Sequence, residues 1–115
     1  MTTPIRDLLL KIWEDNDYVL TFQTTQETRD IAAELKRLWD VKPEITITSS
    51  GPAGLILEPL LGCLIAFIGK LDKNIEKDKL ENDEAHQCYL EDIRSAAVRS
   101  RDRIVDWQLE TIKNI

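Results

Sequence analysis

The chain is poor in the residues that most often carry chemistry. Its 115 residues include one histidine, His86, and two cysteines, Cys63 and Cys88, which form no Cys-x-x-Cys pair. With one histidine and no nucleophile motif pointing to it, Ser-His-Asp or Cys-His catalysis is hard to assemble. A zinc site usually takes four nitrogen or sulfur ligands, and His86 shares a helix face with Asp83 but not with Cys88. Neither the phosphate-loop pattern G-x-x-x-x-G-K-[ST] nor the dinucleotide pattern G-x-G-x-x-G is present. The expectation is no catalytic residue, no cofactor and no metal. Widely spaced thiols do not make a secreted disulfide framework. The N-terminal MTTPIRDLLLKIWEDND carries acids at Asp7, Glu14 and Asp15 and no small-residue cleavage site, so a reducing cytoplasm is the expected compartment.

Basic residues are outnumbered, 15 to 21, for a net charge of −6. Phosphate backbones are bound mainly through Lys and Arg, so nucleic acid is not expected as a partner, whereas a basic protein would suit. Glycine and proline are also few, four of each, and neither occurs after Gly69. That absence points to an uninterrupted helical C-terminal half.

What is abundant is apolar residues between Pro52 and Gly69, PAGLILEPLLGCLIAFIG, with Glu58 as the only charge. A helix apolar on every side has to be covered all round. The run falls short of the roughly twenty apolar residues of a membrane span and holds Glu58, Pro59 and glycines, so burial in protein is expected and edge placement for Glu58. Gly62 and Ala66 have the small-xxx-small spacing that permits close helix approach. Pro59 is expected to kink the helix or mark its true start.

The remaining elements follow from periodicity. Thr3-Pro4 reads as a helix start, and Ile5, Leu8, Leu9, Ile12 and Trp13 make one apolar stripe. Tyr18 to Gln23 alternates, with Tyr18, Leu20 and Phe22 on one face, and reads as a strand. Thr24 and Glu27 have capping-box spacing before a second amphipathic helix marked by Ile31, Leu35, Leu38 and Trp39. Ile45 and Ile47 alternate with Thr46 and Thr48 as a second strand. Strand, helix, strand predicts a parallel βαβ-like unit. Residues 70–84 are dense in mixed charge and read as an exposed helix, the alternative being a disordered linker. A long helix follows from Ala85 to Ile115, with Tyr89, Ile93, Ala96, Ala97, Ile104 and Trp107 on one stripe.

The predicted fold is thus α+β: one domain with an α-β-α-β unit over 1–50, an apolar helix over 51–69, and a charged segment and long helix over 70–115. A two-strand sheet leaves unpaired edges, which a twofold dimer would satisfy. The expected role is a non-enzymatic interaction or regulatory module acting as a homo-oligomer. Its candidate interface is Leu55, Ile56, Leu60, Leu61, Leu64, Ile65, Phe67 and Ile68. Arg94, Arg99, Arg101 and Arg103 form the only basic cluster, a candidate polar patch whose simpler reading is pairing with neighbouring acids. Two other roles fit the composition: a small acidic inhibitor or immunity-type protein masking a basic enzyme surface, and a membrane-associated subunit using residues 53–69. Backbone amides after Ser49-Ser50-Gly51 are a weaker candidate for anion binding.

Overall fold

The computed structural model describes residues 5–40 and 52–113, with side chains from Ile5 to Asp40 and from Leu57 to Glu110. Five helices account for nearly all of them: α1 (Ile5–Asp15), α2 (Asp17–Phe22), α3 (Gln26–Asp40), α4 (Pro52–Glu81) and α5 (Glu84–Lys113). Among the described residues there is no strand, so the α+β prediction is overturned.

The frame is the α4–α5 hairpin. Each helix has 30 residues, about 45 Å at the usual rise, and together they set the long axis of a 51 × 25 × 18 Å molecule. The charged segment that the sequence left separate from the apolar run is the second half of α4. The turn between the helices is a Schellman closure. Asn82 takes the left-handed conformation (φ 59°), Asp83 N–H donates to the Asp78 carbonyl at 3.0 Å, and Asn82 N–H to that of Lys79. Asp83 then caps α5, its Oδ1 accepting the His86 N–H at 3.1 Å.

The seam between the two helices repeats at alternating steps of three and four residues. On α4 it runs Leu57, Leu60, Leu64, Phe67, Leu71, Asn74, Asp78; on α5 it runs His86, Leu90, Ile93, Ala97, Ser100, Ile104, Trp107. This is the spacing of antiparallel knobs-into-holes packing. The seam is apolar along most of its length and polar at the turn, where His86 Nδ1 meets Asp78 Oδ2 at 2.6 Å.

α3 packs on α4, α1 packs on α5, and α1 and α3 touch each other, which closes a four-helix core. Ile5, Leu8, Leu9 and Ile12 of α1 and Ile31, Leu35 and Leu38 of α3 are buried in it, as their stripes require. The cap of α3 is one residue later than the sequence suggested. Thr25 and Thr28 exchange backbone-to-hydroxyl hydrogen bonds at 3.2 Å, so Thr28 fills the role expected of Glu27.

Tyr18–Gln23, read as a strand, is the short helix α2. Six residues do not distinguish a period of two from one of 3.6. The chain continues its helical hydrogen bonding through Asn16, whose carbonyl accepts from Leu20 N–H at 3.0 Å. Only Leu20 of the expected apolar face is buried; Tyr18 and Phe22, one turn apart, lie outside. Gln23 ends the helix at φ 46°. The proposed second strand, Ile45–Thr48, lies outside the described residues, as do Thr3-Pro4 and Ser49–Gly51. With no first strand there is no βαβ unit, and unpaired sheet edges give no reason for a dimer.

The apolar run resolves into a buried face and an outward face. Leu57, Leu60, Leu64, Phe67 and Ile68 point into the core, while Glu58, Pro59, Gly62, Ile65, Ala66 and Gly69 face outward. Pro59 lies within α4 rather than at its start. Among the described residues no helix is long and apolar enough to cross a membrane.

Candidate functional site

Two of the surface clefts among the described residues gather exposed aromatic side chains. The first lies between α2 and α5, a hollow of about 240 Å³. Its floor is Val19, Ile93 and Ala96, its walls are Tyr18 and Tyr89, and Asp15, Asn16 and Asp92 complete the lining. The walls belong to a row of four rings. Phe22 and Tyr18 are 5.0 Å apart, Tyr18 meets Tyr89 edge-on at 6.0 Å, and His86 stacks on Tyr89 at 6.0 Å. Tyr18 is 60 % exposed, Phe22 63 % and Tyr89 42 %. Partial burial, then the hydrogen bond and charge of Tyr18, hold the Tyr89 phenol above the ordinary tyrosine value.

The row is positioned by a buried polar tie. Asn16 Nδ2 donates to Ser100 Oγ at 2.7 Å and to the Ile12 carbonyl at 2.7 Å, and Ser100 Oγ donates to the Ala96 carbonyl. This fixes the α1–α2 junction against the middle of α5. Beside it, Arg103 Nε donates to Asp15 Oδ2 at 2.9 Å.

The second cleft runs between α1 and α3, with a volume of about 450 Å³. Leu9, Leu10, Trp13, Ala32, Leu35 and Trp39 line it, with Gln23 and Lys36 at its edges. Leu10, Trp13 and Trp39 are exposed there. Arg6 lies 4.9 Å over the Trp39 ring and donates to its carbonyl, holding one wall in place.

Of the residues expected at an interface, Leu60, Leu64, Phe67 and Ile68 are core residues, Leu61 is half-buried and Ile65 is 52 % exposed. The side chains of Leu55 and Ile56 lie outside the described residues. The arginine cluster is dispersed: Arg94 binds Asp72 across the hairpin, Arg101 binds Asp102, and Arg103 binds Asp15. Arg99 forms no ion pair among the described residues. Glu58 is exposed on the outward face of α4.

His86 does find carboxylates. With Asp78 and Asp83 it brings three potential ligand atoms within 4.8 Å. Asp78, which the sequence hid inside a charge-dense stretch, is buried; the signal was its place in the three-and-four spacing from Leu57. The Cys63 thiol is pushed up from its ordinary value by burial and then by the charges of Asp30 and Glu34, so it is held as the protonated thiol. Cys88 is exposed, and both cysteines are free.

No protein-family model, curated protein or solved structure matches the chain. The functional reading therefore rests on its own residues.

Proposed function

We propose that the chain is a non-catalytic protein–protein interaction module that acts in the cytoplasm and self-associates, the contact being the tryptophan-walled groove between α1 and α3. The observation that carries this reading is Leu10, Trp13 and Trp39 left half-uncovered around one apolar hollow. Tryptophans in partly desolvated pockets are the residues that dominate binding energy at protein interfaces. A second copy is the favoured occupant because of charge. The exposed side of α1 carries Arg6 and Lys11 beside Asp7 and Glu14, two of each sign. That balance lets two copies of a net acidic chain meet at this face without net repulsion.

Light scattering after gel filtration, over a range of concentrations and without detergent, tests this. The expected result is a dimer that Leu10→Glu dissociates and Ile65→Glu leaves intact. A monomer at every concentration overturns the reading. Dissociation by Ile65→Glu alone moves the contact to the outer face of α4.

A further inference from the structure

The cleft between α2 and α5 is lined by none of the residues of the α1–α3 groove, and it differs in chemistry. Its aromatic walls are more exposed than either tryptophan, and the charged groups around it are mostly acids. Asp15 and Asp92 line it, Asp17 precedes Tyr18 on α2, and Asp83 and Glu84 stand at the start of α5 beside His86. The cations near it are Arg103, already held by Asp15, Arg99 one turn before Arg103, and Lys70, held by Glu27. Asp92 makes no ion pair among the described residues.

We propose that this cleft docks a basic segment of a protein partner, one arginine or lysine side chain lying across the paired Tyr18 and Tyr89 rings with its charge against Asp92. Three features select that occupant. A cation over a tyrosine face is attracted by the ring quadrupole, and a nearby carboxylate adds a charge-assisted hydrogen bond. The floor of Val19, Ile93 and Ala96 accepts the methylene stem that long basic side chains bury while their charge stays wet. Four rings in succession at 5.0 to 6.0 Å form a surface longer than any single amine, which suits an extended chain rather than a small cation. The fold already shows the same pairing at its rim, where the Arg103 guanidinium sits on Asp15. Net charge of −6 adds long-range steering toward a basic surface.

The test is fluorescence anisotropy with a defined probe, a fluorescein-labelled nonapeptide alternating arginine and serine, against the same peptide with glutamate in place of arginine. Saturable binding of the arginine peptide alone is expected. Tyr18→Ala and Asp92→Asn should each weaken it roughly five- to tenfold, and Tyr18→Phe, which keeps the ring, should not. Glu76→Gln removes the same single charge from the outer side of α4 and should leave binding within about twofold. Equal losses in Asp92→Asn and Glu76→Gln would reduce the effect to general acidity and overturn the proposal, as would absence of saturable binding. Circular dichroism of each variant confirms that it is folded. Because the two clefts share no residue, Leu10→Glu should bind the peptide as well as wild type, so failure of self-association and failure of this site are separately visible.

Discussion

Asn16 and Ser100, 84 residues apart in the chain, share a hydrogen bond of 2.7 Å with both residues buried. The amide of Asn16 serves two acceptors, the hydroxyl on α5 and the Ile12 carbonyl on its own helix, so the two partners are unequal. Asn16→Ala removes both hydrogen bonds and opens a void, at a cost of about 1–3 kcal/mol. Ser100→Ala leaves Asn16 one acceptor and should cost less. Thermal melts of both variants should show the larger drop in Tm for Asn16→Ala; equal drops would mean that the interhelical bond contributes all of the effect.

At the hairpin turn, Asp78 is buried and its partner His86 half-exposed. Removing the histidine alone strands a buried carboxylate, whereas replacing both by apolar residues extends the leucine seam by one layer. His86→Leu is therefore expected to destabilise by about 1–3 kcal/mol, and Asp78→Leu with His86→Leu to be neutral or stabilising. Urea denaturation of the two single variants and the double variant measures the coupling.

Adjacent positions on α4 should behave oppositely. Leu64 is fully buried and Ile65 is half-exposed. Leu64→Ala should cost about 2–5 kcal/mol through the cavity it leaves, and Ile65→Ala about 0.5 kcal/mol or less. Chemical denaturation midpoints at low protein concentration decide it, and similar losses at both sites would contradict the two-faced reading of the apolar run.

Gly62 and Gly69 face open space, with nothing within 4 Å of where a Cβ would sit. Neither has a positive φ to protect, so alanine should stabilise each helix position by about 0.5–1 kcal/mol. Calorimetry should show both variants melting higher. A lower Tm would reveal a close contact made at these positions.

Glu27 supplies the acid-sensitive contact between α3 and α4. Its carboxyl is held below the ordinary value of 4.5, first by a backbone hydrogen bond and then by Lys70 at 3.3 Å, against the opposing effect of burial. A depressed folded value means that this contribution is complete above about pH 4.5 and lost as pH falls through the lower folded value. Glu27→Gln should therefore flatten part of the acid limb of the Tm–pH curve while leaving its alkaline side unchanged.

The long amphipathic helices were legible because their periods run for many turns. The stripes of α1 and α3 and the unbroken α5 needed only sequence. Tyr18–Gln23 misled because six residues fit both periods, and what settles the matter is tertiary: Asn16 anchored to Ser100 by a bond no local pattern can reveal. The apolar run misled in a different way. Hydropathy does not separate Leu64 facing in from Ile65, Gly62 and Ala66 facing out, and only the neighbouring helices decide which face is covered. The two clefts were invisible for a related reason, since each joins residues from separate helices: Tyr18 with Tyr89, and Trp13 with Trp39.

The packing of α1 on α5 also bears on how the chain comes off the ribosome. Leu8 and Lys11 border one hollow with Arg103, Asp106 and Trp107. The apolar stripe of α1 is thus translated well before the part of α5 that covers it. During that interval Ile5, Leu8, Leu9 and Ile12 have only the α3 side to settle on. The nascent chain is therefore exposed to chaperone capture through α1, and a stalled or truncated product ending within α5 would present that same stripe to quality control.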